Sequence, residues 1–180
     1  MPAPINWAHI REVLPFERTD EAKARRQKMF KDFDPNGNGY LSLAEVDKSI
    51  RDVLKLNELF DIKPVLMRAF QAAKSANTKT KGKLGEHFIE FCEFRLLLFY
   101  LRQYFELWQM FDAVDTSDDR RISFDEFKKA LPMIERWGVK IQDAHRTFGE
   151  IDTNGGGIIL FDEFATWALK QALDLDTDDD

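Results

Sequence analysis

The stretch "DPNGNGYLSLAE", Asp34 to Glu45, places oxygen-bearing groups at alternate positions and closes on a glutamate. A hard divalent cation requires that rhythm. Calcium takes six to eight oxygens at about 2.3–2.6 Å, and a twelve-residue loop delivers them from positions 1, 3, 5, 7, 9 and 12. In this loop those donors are Asp34, Asn36, Asn38, the Tyr40 carbonyl, Ser42 and Glu45. Gly39 falls on position 6, where the sharp turn needs a positive φ and a residue without Cβ adopts it at least cost. Leu41, at position 8, suits a short β-bridge to a paired loop. An Asx-rich turn between helices would explain the glycine and the asparagines but not the terminal glutamate. Ca2+ is therefore the expected ion, with Mg2+ as a competing oxygen-seeking cation.

The pattern is that of an EF-hand, a helix-loop-helix unit, and the chain repeats it. "KMFKDFD" leads into the first loop, and "QMFDAVD" and "RTFGEID" restate its aromatic spacing before Asp115 and Asp152. The exits repeat as "LAEV", "FDEF" and "FDEF". In "DTSDDRRISFDE" the donors are Asp115, Ser117, Asp119, the Arg121 carbonyl, Ser123 and Glu126, with Arg120 rather than glycine on position 6. A side chain in that left-handed conformation costs on the order of 1 kcal/mol or more. Arg120 and Arg121 also subtract from the local negative field, so this loop is expected to bind at reduced affinity. "DTNGGGIILFDE" retains Asp152, Asn154, Gly157, the Ile158 carbonyl and Glu163. Gly156 and Leu160 supply no side-chain oxygen at positions 5 and 9, which makes this the weakest plausible site.

The spacing between the first and third hands requires one more unit. In "RAFQAAKSANTKTKGKLGEHFIEFCEF", Phe70 sets position 1 at Lys74, and the exit pattern sets position 8 at Ile89 and position 12 at Glu93. That loop is much longer than twelve residues, and Lys74, Lys79, Lys81 and Lys83 would repel a cation. The second hand is expected to keep its fold, bind nothing, and pair with the first through Ile89 and Leu41. Ile122 and Ile159 should pair the third and fourth loops in the same way, making them a coupled pair.

The fold expected is all-α: four helix-loop-helix units in two pairs, one unit degenerate, packed into a compact body with short β-bridges between paired loops. Residues 1–18 read as a leading helical segment, 19–100 as the first lobe, 101–173 as the second and 174–180 as an acidic tail. Ser42 with Glu45, and Ser123 with Glu126, are S-x-x-E capping boxes, and Thr19 before Asp20 and Glu21 is a helix start. Pro15 should close the helix of "NWAHIREVL", whose Trp7, Ile10, Val13 and Leu14 share a face. Phe88 to Phe111 is apolar on nearly every side, so the junction of the lobes is expected to be buried.

Composition narrows the functions. A formal charge of −6 over 180 residues argues against a nucleic-acid surface. The single cysteine, Cys92, cannot form an internal disulfide, which points to the reducing cytoplasm, and its apolar neighbours suggest a core thiol. The apolar run "LLLFYL" is too short to span a membrane. The start lacks a secretory pattern, and Pro2 stands where N-myristoylation requires glycine, so neither is expected of it. His9, His87 and His145 are scattered, and no acid–base or nucleophilic set converges, so catalysis is not expected. Lys23, Arg25, Arg26, Lys28 and Lys31 read as a solvated helix face, with contact to an anionic membrane surface as the alternative.

On "NWAHIREVLP", "EAKARR", "VLKL", the stretched loop before "FIEFCEFRLLL", "FELWQMFD", "ERWG" and "FDEFATWA", the chain resembles the calflagins, flagellar calcium-binding proteins of trypanosomatids, along almost its whole length. The resemblance implies a four-hand calcium sensor of the flagellum or cilium, with relatives acylated at the N-terminus and calcium held mainly by the third and fourth hands. The residues here favour the first loop instead. Three uses stay open: a sensor engaging a protein target, a structural ciliary component, and a calcium buffer. The sensor is preferred. Five methionines against sixteen phenylalanines point to a dedicated partner rather than promiscuous peptide capture.

Overall fold

The computed structural model describes residues 6–76 and 87–172. The lysines Lys79, Lys81 and Lys83 and the acidic end 174–180 lie outside them. Among the described residues the structure is helical, in the order α1 (Trp7–Val13), α2 (Asp20–Phe33), α3 (Leu43–Asp52), α4 (Asn57–Phe60), α5 (Lys63–Ala76), α6 (Phe91–Val114), α7 (Phe124–Arg136), α8 (Ala144–Ile151) and α9 (Phe161–Ala172). The chain divides into two units, Met1–Phe105 and Glu106–Asp180. The exiting helix of the second hand and the entering helix of the third are one continuous element, α6.

Local chemistry sets the helix starts. The Thr19 side chain accepts the Ala22 N–H at 3.1 Å and begins α2. Ser42 and Ser123 each form a complete capping box with the glutamate three residues on, opening α3 and α7. Asn6 caps α1, which ends at Val13, and Ile10 and Leu14 on its apolar face are buried.

Packing follows the 3.6-residue period. On α2 the inward face is Ala22, Arg26, Phe30 and Phe33. Phe94 meets Phe30 and Phe33 edge-on, at 5.4 and 5.3 Å between ring centres. In the second unit Phe111 meets Phe161 and Phe164 in the same manner, both at 5.7 Å. On α6, Phe94, Leu97, Leu98, Leu101, Phe105, Trp108 and Phe111 are all buried, as the sequence leads one to expect.

Two isolated antiparallel bridges, Leu41 with Ile89 and Ile122 with Ile159, join the loops in pairs. Each is closed by reciprocal N–H to carbonyl bonds, both 2.8 Å in the first pair and 2.9 and 2.8 Å in the second. All four residues are fully buried, so backbone pairing and apolar packing coincide.

Three sequence readings need correction. Arg26 is not part of a solvated face. It is buried, and its Nη1 donates to the carbonyls of Pro15 at 2.9 Å and Glu17 at 2.6 Å, tying the α1–α2 connection to α2. Burial, then the charge of Arg95, lowers its pKa. Lys23, Arg25, Lys28 and Lys31 are exposed. Cys92 is exposed rather than core, because it falls out of phase with the stripe of Phe94, Leu97, Leu98 and Leu101. Lys74 lies in the last turn of α5 instead of opening a loop.

Truncating Leu41 to alanine removes the most enclosed contact between the first two loops and should cost about 2–5 kcal/mol. Urea denaturation in chelator measures it, and a loss below about 1 kcal/mol would show that the bridge does not hold the unit together.

Candidate metal centre

The three short loops share one internal bond. The backbone N–H at position 6 donates to the position 1 carboxylate at 2.8 Å in each: Gly39 to Asp34, Arg120 to Asp115 and Gly157 to Asp152. It bends the chain around the carboxylate and requires a left-handed residue, with φ of 82° at Gly39, 63° at Arg120 and 81° at Gly157. Arg120 thus adopts the conformation that a side chain resists. Its guanidinium lies 5.9 Å from the centre of the Trp108 ring. Such a contact gives back about 0.5–1 kcal/mol at an exposed position, comparable to much of the backbone cost.

In the first loop Asn36 Oδ1 accepts the Asn38 N–H at 3.1 Å, and Asn38 Oδ1 accepts the Tyr40 N–H at 2.9 Å. Glu45 closes the ring. Its Oε2 accepts the Ser42 N–H at 2.8 Å and its Oε1 the Asn36 amide at 3.1 Å. Asp34 is 7% exposed, and its Oδ1 is buried without a hydrogen-bond partner among the described residues. A buried carboxylate oxygen left unsatisfied is costly, and a cation at the loop centre would satisfy it. The donor set is all oxygen, so these residues fit calcium.

The third loop gathers more charge. Donor oxygens of Asp115, Asp119 and Glu126 lie within 4.8 Å of one another. The Ser117 hydroxyl donates to Asp115 Oδ1 at 3.1 Å, and Asp119 accepts the Arg121 N–H at 3.0 Å. Glu126 accepts the Ser117 N–H at 3.0 Å and the Ser123 N–H at 2.9 Å. Burial raises its pKa, but the bonds from Ser123 and Ser117 together outweigh burial and hold the carboxyl below its ordinary value. Asp112, beside the loop, is shifted up by burial and by Asp118 and Asp115.

The fourth loop turns its acids on its own backbone. Asp152 accepts from Gly156 at 3.2 Å as well as from Gly157, and Glu163 accepts the N–H groups of Leu160 at 3.1 Å and Asn154 at 3.3 Å. A Cβ on Gly156 would sit 3.0 Å from Asn154 Oδ1, so positions 3 and 5 compete for space. Asp152, Asn154, the Ile158 carbonyl and Glu163 are the available donors, fewer than in the other two loops. In the second hand Glu93 is buried and its Oε1 accepts the Glu90 N–H at 3.1 Å, matching the glutamate position of the other hands. Glu90, Cys92 and Glu93 bring donor atoms within 4.8 Å, a grouping the sequence reading missed because it treated Cys92 as core.

Helix pairs with capped exits, bridged loops and all-oxygen donor rings define an EF-hand calcium-binding protein. The family description FCaBP EF-hand domain matches residues 10–101, and EF-hand domain pair matches 104–169. The flagellar calcium-binding protein of Trypanosoma cruzi is 43% identical over 97% of this chain and 83% of its own length. TB-24 of Trypanosoma brucei brucei is 43% identical over 98% of this chain and 81% of its own. Among solved structures, a homologue of programmed cell death 6 protein from Leishmania major Friedlin aligns with a TM-score of 0.42 at 16% identity, over 88% of this chain and 78% of that one. The chain belongs to the flagellar calcium-binding protein family.

Glu126 has a depressed pKa, so the stability it contributes is fully present above the ordinary glutamate value of about 4.3 and is lost as pH falls through the lower folded value. The melting-temperature advantage of wild type over Glu126→Gln, measured in chelator, should hold near neutrality and narrow only below about pH 4. A gap that stays constant down to acid pH would show that this carboxylate makes no titrating contribution.

Proposed function

We propose that the protein is a calcium sensor of the flagellum that changes conformation on binding and then engages a protein target. The ligands assigned are Asp34, Asn36, Asn38, Tyr40, Ser42 and Glu45 in the first loop, and Asp115, Ser117, Asp119, Arg121, Ser123 and Glu126 in the third. Asp152, Asn154, Ile158 and Glu163 form a weaker set in the fourth, and the second hand is assigned none. Bound calcium supplies a central charge for these oxygens. One observation carries the sensor reading: each loop-closing glutamate also accepts bonds at the start of the exiting helix and from across the loop. Redirecting Glu45 away from the Asn36 amide, or Glu126 away from the Ser117 N–H, changes the constraint on α3 or α7 directly. Aromatic side chains buried beneath the loops, Phe30, Phe33 and Phe94 in one unit and Phe111, Phe161 and Phe164 in the other, are the apolar surface an opened hand presents.

The names of the relatives support the flagellar setting. No helix among the described residues is long and apolar enough to cross a membrane. The exposed Lys23, Arg25, Lys28 and Lys31 make an anionic lipid surface the second partner to consider.

Fluorescence of 8-anilinonaphthalene sulfonate should rise on calcium addition, and an unchanged signal would favour a buffer or a fixed scaffold. In calorimetric titration with physiological magnesium present, Glu45→Gln should remove the strongest site, because it abolishes the charge of the loop-closing ligand, replaces one of its two oxygens with an amide donor and weakens the capping box. Full stoichiometry with unaltered affinity in that variant would refute the ligand assignment.

A further inference from the structure

Position 6 differs among the three short loops in one respect. Gly39 and Gly157 have no side chain there, whereas Arg120 carries one and directs its guanidinium over Trp108. The Trp108 ring meets Phe161 edge-on at 4.9 Å between centres, and Phe111 meets the same ring at 5.7 Å. Phe161 is the first residue of α9, two residues beyond the bridge residue Ile159 and two before Glu163. The third loop therefore reaches the start of α9 by two routes. One is the backbone bridge of Ile122 with Ile159, and the other runs through the Arg120 side chain and Trp108.

We propose that Arg120 is a positioning residue that, through Trp108 and Phe161, couples occupancy of the third loop to the set of Glu163 in the fourth. This rests on the calcium reading of both loops. The N–H of Arg120 is bonded to Asp115, the first ligand of its loop, so a shift of that carboxylate is felt at the Arg120 backbone. A left-handed arginine has little conformational freedom to absorb the shift locally. Trp108 and Phe161 are both buried, and close packing passes displacement on instead of dissipating it. The same placement gives the guanidinium an aromatic face to lie over.

The test uses the full chain carrying Glu45→Gln, which silences the first loop. Calcium affinity of the fourth loop is measured calorimetrically with the third loop intact and with Glu126→Gln added. Their ratio is the coupling. Arg120→Gln removes the cation but keeps a left-handed side chain, and Trp108→Phe keeps an aromatic against Phe161 while weakening the cation contact. Chelator melts establish that each variant is folded. The ratio should exceed one in the parent and fall about twofold to fivefold in either variant, with little change in the Glu126→Gln background. A merely structural role would lower fourth-loop affinity equally in both backgrounds, leaving the ratio as it was, and that result overturns the proposal. So does a parent ratio of one. A parent whose third and fourth loops take up no calcium overturns the calcium reading of this unit, and the coupling with it.

Discussion

The bond from a position 6 N–H to a position 1 carboxylate is the constraint from which the rest of the molecule is built. At 2.8 Å in three loops, it curls the backbone so that the alternate side chains converge. It also aims position 8 outward to pair with the neighbouring loop. Without the curl there is neither a donor ring nor a bridge, and the helices on either side lose their mutual angle. The bond is internal to the chain, so it constrains the loop backbone through the chain's own groups.

Each loop then distributes its remaining oxygens differently. The first keeps a buried Asp34 oxygen without a protein partner among the described residues, a standing incentive to accept a cation. In the third, the Ser117 hydroxyl occupies the corresponding Asp115 oxygen, and three carboxylates draw together. The fourth spends both Asp152 oxygens on glycine amides. One motif thus gives three loops that differ in how their acidic oxygens are bonded.

The closing glutamates make the loops more than containers. Glu45 and Glu126 belong at once to the donor ring, to a helix cap and to a bond across the loop. Caps of this kind contribute about 1 kcal/mol each, similar to the energies that separate nearby conformations of a helix end. Charge and helix geometry are thereby linked within a single side chain.

Much of this was legible in the sequence because it depends on interactions between residues close along the chain. The loop register, the capping boxes at Ser42 and Ser123, the Thr19 start and the bridge partners Leu41 with Ile89 and Ile122 with Ile159 all follow from fixed offsets, even across a stretched second loop. Other features depended on which way a helix face turns, and only the tertiary structure decided them. Arg26 reads like its basic neighbours, but the rotation of α2 buries it against two carbonyls. Cys92 sits among apolar residues but out of phase with the inward stripe of α6. Arg120 reads as a defect in a calcium loop until α6 brings Trp108 beneath it. Local offsets determine what a side chain is able to bond; the packing of helices determines what it meets.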